Sequence, residues 1–69
     1  MPIIEVTLGE GRTPEMLRQL QASLAEAAVQ SLGIHKESVR VILREVPLTH
    51  FLAGDETLAE RKAKAQSQS

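Results

Sequence analysis

The chain contains no cysteine, and only one of its 69 residues, Phe51, is aromatic. Without cysteine there can be no disulfide bonds and no thiolate metal sites. The two histidines, His35 and His50, are too few and too far apart to suggest a structural metal site. A net charge of −1 and the near absence of aromatic rings argue against nucleic-acid binding, which normally uses a basic face and stacking side chains.

Long apolar runs are also missing from the sequence. No segment approaches the roughly 20 apolar residues that are needed to span a bilayer. Glu5 and Glu10 interrupt the apolar stretch near the N-terminus, so no signal peptide is visible. We therefore expect a cytoplasmic protein that makes no contact with membranes.

The apolar content is nevertheless high for so short a chain. Hydrophobic residues make up 42% of the sequence, which is too much for a disordered protein. A domain of this size leaves much of its apolar surface uncovered, and it usually needs a disulfide, a metal or a partner to be stable. By elimination, we expect a homo-oligomer.

The periodic segments predict a β-α-β unit, and hence a fold of the α+β class. Residues 2–8 and 38–46 are short and rich in β-branched side chains, which is typical of strands. Between them, apolar residues recur every three or four positions over 14–32, which predicts a helix with Thr13 as its N-cap and Gly33 just after its end. Strands joined by a helical crossover should be parallel, and a two-stranded sheet of this kind is not stable alone.

The C-terminal part of the sequence carries weaker patterns. Residues 49–56 are consistent with a turn or a short hairpin around Gly54. From Arg61 the sequence RKAKAQSQS is polar and repetitive. We therefore expect a single domain over residues 1–60 and a polar tail over 61–69 that is disordered or weakly helical.

Pro2 is the first candidate for chemistry. If Met1 is removed, Pro2 carries a free secondary amine, and in an apolar pocket near cations the pKa of that amine falls. A base works best when its pKa lies near the working pH, so Pro2 is a candidate general base. The alternative is that Pro2 is only an ordinary proline at the start of a strand.

Two arginines and the single aromatic residue are further candidates. Arg40 lies in an otherwise apolar strand, where it either binds an anion or forms a salt bridge with a glutamate at a subunit interface. Arg12 follows the first strand and, taken alone, is typical of a solvated loop. If both arginines converged on one pocket they would suit a dicarboxylate. Phe51 either packs in a core or forms a wall that keeps a site dry.

Four short motifs at matching spacings carry a family resemblance. With Pro2, EGRT at 10–13, SVRVI at 38–42 and HF at 50–51, the chain resembles the 4-oxalocrotonate tautomerase family, without a gap from Pro2 to about Glu56. The resemblance implies a β-α-β subunit that pairs into a four-stranded sheet with two helices on one face. It also implies that three such dimers form a homohexamer.

The resemblance also implies a role for each candidate residue. Pro2, after removal of Met1, is expected to move a proton from a dienol oxygen to carbon, and Arg12 to bind the far carboxylate of the substrate. Arg40 of a neighbouring subunit is expected to contact the 2-hydroxy or keto oxygen and the adjacent carboxylate, and Phe51 to supply an apolar wall that lowers the pKa of Pro2. The implied reaction is ketonisation of a 2-hydroxydienoate such as 2-hydroxymuconate, without metal or cofactor, best known from the degradation of aromatic compounds.

Related activities are the alternatives. The 3-chloroacrylate dehalogenases of the same superfamily hydrate an unsaturated acid with an extra arginine and a water-activating glutamate, and Gly9 and Ala53 stand at those positions here. Glu56 is close enough in sequence to leave a small opening for hydration. The amine of Pro2 could also act as a nucleophile on an aldehyde. A non-catalytic subunit of a hetero-oligomer is the remaining alternative.

Arg44 departs from the family pattern, which has an uncharged residue at this position. It lies on the same predicted strand face as Arg40. It either widens anion recognition or pairs with Glu5 or Glu45 of another chain. Because of this difference, the resemblance predicts the type of reaction more firmly than it predicts the substrate.

Overall fold

A computed structural model describes residues 1–67 of the chain. The elements follow in the order β1 (Ile3–Gly9), α1 (Pro14–Leu32), β2 (Arg40–Val46), β3 (Leu52–Ala53), β4 (Glu56–Thr57) and α2 (Leu58–Ser67). Short 3₁₀ turns at Lys36–Ser38 and Leu48–His50 precede β2 and β3. The predicted α+β class and its β-α-β unit are confirmed.

Strands β1 and β2 form a parallel pair, as the helical crossover predicts. Ile3 pairs with Arg40 at one end of the sheet and Gly9 pairs with Val46 at the other. Side chains alternate between the two faces along each strand. The half-buried face carries Ile4, Val6, Leu8, Val41 and Leu43, and the open face carries Ile3, Glu5, Thr7, Arg40, Ile42 and Arg44.

Local capping groups set the ends of α1. The Thr13 hydroxyl accepts a hydrogen bond from the Met16 amide at 3.1 Å, and Pro14 takes the first helical position. At the other end Gly33 adopts a left-handed conformation with φ 65°, and its amide donates to the Val29 carbonyl at 2.9 Å. The helix has the bounds that the sequence predicts.

The strand boundaries differ slightly from the prediction. Strand β1 covers 3–9 rather than 2–8, and β2 begins at Arg40 rather than at residue 38. The cause at β2 is the preceding 3₁₀ turn, in which both the amide and the hydroxyl of Ser38 donate to the His35 carbonyl, at 3.0 and 2.8 Å. The predicted hairpin around Gly54 is present as the antiparallel pair β3 and β4.

The polar tail differs more from the expectation of disorder or weak helicity over 61–69. Helix α2 continues to Ser67 and crosses the boundary placed between residues 60 and 61, while residues 68 and 69 lie outside the described part. Its start is fixed by a reciprocal capping box. The Thr57 amide donates to the Glu60 carboxylate at 2.7 Å, and the Glu60 amide donates to the Thr57 hydroxyl at 3.1 Å.

One copy of the chain does not enclose a hydrophobic core. Among residues 1–66 no side chain is fully buried, and Ile3 and Leu52 are more than 60% exposed. The radius of gyration is 15.8 Å, with a long axis of 47 Å, whereas a compact chain of this length would have a radius of roughly 11 Å. This open shape is what a subunit that folds against other copies would show. Neither helix of the described part is long and apolar enough to cross a membrane.

Candidate active site

Pro2 and Arg40 meet at the amino end of the β1–β2 sheet. Pro2 is half-buried and comes directly before β1. Its carbonyl accepts a hydrogen bond from the Arg40 amide at 3.0 Å. Because parallel strands begin at the same end of a sheet, the fold brings these two predicted site residues together within one chain.

The Arg40 guanidinium carries a charge that no carboxylate of the described residues neutralises. Its Nη1 atom donates to the carbonyls of Glu37 and Val39, at 2.5 and 3.4 Å. Within residues 1–67, no acidic side chain lies within ion-pair distance of it. The single chain therefore leaves this cation exposed at the amino end of the sheet, and the salt bridge at a subunit interface that the sequence left open stays a prediction.

Arg12 lies at the opposite, carboxyl end of the sheet. It follows β1 and donates from Nη1 to the Gly9 carbonyl at 3.0 Å. The preceding Gly11 has a φ of 132°, a conformation that favours glycine, so the loop depends on a residue without a side chain. Arg12 borders a pocket of about 490 Å³ whose walls include Leu48 and Leu58.

Phe51 also belongs to this carboxyl end. Its amide donates to the Leu48 carbonyl at 3.3 Å, and Leu48 borders the same pocket as Arg12. Its own carbonyl accepts from the Leu58 amide at 2.8 Å, which ties it to the start of α2. Phe51 is half-buried, and its role as an apolar wall stays a prediction.

The four predicted site residues therefore fall into two pairs at opposite ends of the sheet. Pro2 precedes β1 and Arg12 follows it, and the six steps of this strand span roughly 20 Å. A single copy brings Pro2 to Arg40, and Arg12 to the segment that carries Phe51, but it does not unite the two pairs.

The sequence reasoning missed one residue at the carboxyl end. Lys62 borders the same pocket as Arg12. It falls within the tail that we expected to be disordered or weakly helical, so it was not considered for a site. The signal that could have found it is the T-L-A-E motif at 57–60, which is the capping box that starts α2.

Glu56 is engaged by α2. It accepts hydrogen bonds from Arg61 Nε at 3.1 Å and from Lys64 Nζ at 3.2 Å. Both hydrogen bonds lower the pKa of the Glu56 carboxyl, and the one from Arg61 has the larger effect. A carboxylate with a lowered pKa and two cationic partners is a poor base for activating water, which disfavours hydration at this position.

Arg44 is also paired within its own chain. Its Nη1 atom lies 2.9 Å from a carboxylate oxygen of Glu5, across the two strands on the open face of the sheet. This hydrogen bond raises the pKa of Arg44 and lowers that of Glu5. Of the partners considered for Arg44, the structure shows Glu5, supplied by the same chain rather than by another.

Known proteins with similar sequences and folds point to one family. The model of the family "Tautomerase enzyme" matches residues 2–61. The 2-hydroxymuconate tautomerase of Pseudomonas sp. strain CF600 is 41% identical over 56 residues, which cover 81% of this chain and 89% of that protein.

Two solved structures extend the similarity to the fold. TomN, a 4-oxalocrotonate tautomerase homologue in the tomaymycin biosynthetic pathway, superimposes with a TM-score of 0.85 at 44% identity, covering 90% of this chain and 95% of its own. A heterohexamer 4-oxalocrotonate tautomerase from Chloroflexus aurantiacus J-10-fl gives a TM-score of 0.82 at 35% identity, covering 87% and 97%. Subunits with this fold therefore occur in a hexamer.

Proposed function

The chain belongs to the tautomerase family, and we propose that it ketonises 2-hydroxymuconate or a similar 2-hydroxydienoate with the amine of Pro2 as the general base. The observation that carries the proposal is the position of Pro2 beside Arg40, whose charge has no partner within the described chain. The similarity to a 2-hydroxymuconate tautomerase supports this class of substrate. The cytoplasmic location and a role in the degradation of aromatic compounds remain predictions.

The base requires a free amine at Pro2. Met1 is 81% exposed, so its removal would disturb little packing within the chain. Pro2 is half-buried, and its carbonyl accepts from the backbone amide of Arg40. In the proposed site, desolvation and the positive charge of Arg40 both disfavour the protonated amine and bring its pKa towards the working pH. The neutral amine takes the proton from the 2-hydroxyl group and returns it to a carbon of the diene.

Arg40 stabilises the charge that develops during this transfer. Loss of the hydroxyl proton leaves a dienolate oxygen, and a cation placed where that charge forms lowers the barrier. The Arg40 beside Pro2 in this structure belongs to the same chain. Its supply from a neighbouring subunit, as the family resemblance implies, remains a prediction for the assembled protein.

The complete site draws on at least two copies of the chain. Arg12 and Phe51 lie at the far end of β1 from Pro2, and no single substrate molecule of this class reaches across the roughly 20 Å of strand. When two sheets join edge to edge about a two-fold axis perpendicular to the sheet, the adjoining strands run antiparallel. The amino end of one copy then lies next to the carboxyl end of its partner, which brings the two pairs of residues together.

We propose that two copies of the chain form a dimer with a four-stranded sheet. Three such dimers then form a homohexamer. The lack of buried side chains in the single copy supports it, because the exposed apolar residues need a cover. In this assembly Arg12 binds the far carboxylate of the substrate and Phe51 closes the site against water.

Steady-state kinetics of the purified chain test the proposal. We expect ketonisation of 2-hydroxymuconate, followed by ultraviolet absorbance, to lose most of its rate in Pro2→Ala while the oligomer stays intact. Arg40→Ala should mainly lower kcat, and Arg12→Ala should mainly raise KM. Arg44→Gln is the matched control, because Glu5 already compensates the charge of Arg44.

Two outcomes would contradict the proposal. An unchanged rate in Pro2→Ala would exclude proline as the base. No turnover by a chain whose intact mass shows a free Pro2 would exclude this substrate, whereas no turnover with Met1 retained would favour a non-catalytic subunit of a hetero-oligomer.

A further inference from the structure

Arg12 and Lys62 border one pocket at the carboxyl end of the sheet. The pocket has a volume of about 490 Å³ and lies between the loop that follows β1 and the first turns of α2. Leu58 and Lys62 are four residues apart on α2, so they share one face of this helix, and both border the pocket. Arg61 and Lys64 are three residues apart on a different face and bind Glu56.

Local contacts set the first turns of α2. The capping box between Thr57 and Glu60 sets the first turn, and the two bonds to Glu56 hold the helix from a second side. Lys62 is therefore placed at the pocket by the path of a capped helix rather than by chance exposure of a tail.

Within residues 1–67, neither cation at this pocket has an acidic partner. Of the eight lysine and arginine residues, all within the described chain, four form ion pairs with carboxylates. The four that do not are Arg12, Arg18, Arg40 and Lys62, and two of these border this one pocket. Glu10 also borders it but lies within ion-pair distance of neither cation. The pocket lining therefore carries an excess of positive charge.

We propose that Lys62 is a second binding group for the far carboxylate of the substrate, beside Arg12. Lysine supplies a mobile point charge, and the arginine supplies a planar fork, so the two can hold one carboxylate together. Helix α2 thereby makes the protein selective for dicarboxylic over monocarboxylic dienoates. The identity of the substrate in this inference rests on the function proposed above.

Equilibrium binding to the assembled full-length protein tests the role of Lys62 without turnover. Muconate and sorbate are both six-carbon dienoates, and only muconate has the second carboxylate. Calorimetric titration should show that Lys62→Gln weakens muconate binding about three- to fivefold, the upper part of the range for an exposed charge pair, and leaves sorbate binding unchanged. Lys62→Arg should retain most of the affinity. Arg18→Gln is the matched control, since Arg18 is another cation that forms no ion pair within the described residues and it does not border this pocket.

The other possible results of these titrations contradict either the role of Lys62 or the proposed reaction. The inference is overturned if Lys62→Gln binds muconate as tightly as the wild type does, if it weakens sorbate equally, or if the wild type binds muconate no more tightly than sorbate. If Lys62→Gln weakens muconate binding as expected but the wild type does not ketonise 2-hydroxymuconate, the proposed reaction is wrong and the binding role of Lys62 is retained.

Discussion

The separation of Pro2 from Arg12 predicts that two impaired variants restore each other's activity when they assemble together. A Pro2→Ala chain keeps Arg12, and an Arg12→Ala chain keeps Pro2. If each site takes the proline from one copy and the arginine from another, mixed oligomers contain sites with both groups intact. If both groups acted within one chain, no such site would form.

The dimensions of the chain set the expected result. The six steps of β1 place roughly 20 Å between the ends where Pro2 and Arg12 lie, whereas reacting atoms must approach to about 3–3.5 Å. With equal amounts of the two variants and random assembly into a symmetric oligomer, about one quarter of the sites combine an intact Pro2 with an intact Arg12. At substrate concentrations well below KM, the mixture should show about one quarter of wild-type activity.

The assay is to unfold the two variants together, refold them as a mixture and follow ketonisation. Each variant refolded alone, and the two mixed after refolding, are the controls. Wild type refolded with an equal amount of the double variant is a second test, because shared sites predict about one quarter of full activity and sites within one chain predict about one half. A co-refolded mixture no more active than the sum of its separate variants would refute the reasoning.

Three further predictions concern single residues. Thr57→Ala removes the hydroxyl of the capping box and should lower the free energy of unfolding by about 1 kcal/mol, measured by guanidinium denaturation beside Thr57→Ser; an unchanged midpoint would contradict it. The hydrogen bond from Arg61, and to a smaller extent the one from Lys64, lowers the pKa of Glu56. The stability that ionised Glu56 adds to α2 is therefore fully present above the ordinary glutamate pKa of about 4.3. It is lost as the pH falls through the lowered pKa. The protection factors of the α2 amides, each taken against the intrinsic exchange rate at the same pH, should therefore fall below this range in the wild type, and Glu56→Gln should remove that fall; equal pH profiles of protection would count against the contact. Arg44→Gln should leave the KM for 2-hydroxymuconate nearly unchanged, since Arg44 is already neutralised, and a large rise in KM would show that Arg44 binds substrate.

Local chemistry explains which elements could be predicted from the sequence. The bounds of α1 were correct because Thr13 and Gly33 are capping groups that act within one turn of the helix. Strand limits were less accurate, since they depend on pairing with a distant segment and on the 3₁₀ turn at Lys36–Ser38. Helix α2 was underestimated because the composition of RKAKAQSQS outweighed the T-L-A-E capping signal that precedes it.

The candidate site could be predicted only as a set of residues. Their types and motifs identified Pro2, Arg12, Arg40 and Phe51, and the parallel strand order accounts for the meeting of Pro2 with Arg40. The division of the four between opposite ends of the sheet depends on where the loops turn, which periodicity does not reveal. Lys62 could not be predicted for the same reason, because its position follows from the path of α2 over the first loop.

The role of Pro2 as the general base can be tested by comparing two forms of the protein that differ only in Met1. With Met1 retained, the nitrogen of Pro2 is an amide without basic character; with Met1 removed, it is a free secondary amine. Both forms should be verified by intact mass and assayed for ketonisation of 2-hydroxymuconate. We expect rapid turnover by the form that lacks Met1 and almost none by the form that keeps it, whereas equal turnover by both forms would contradict the role of Pro2 as the base.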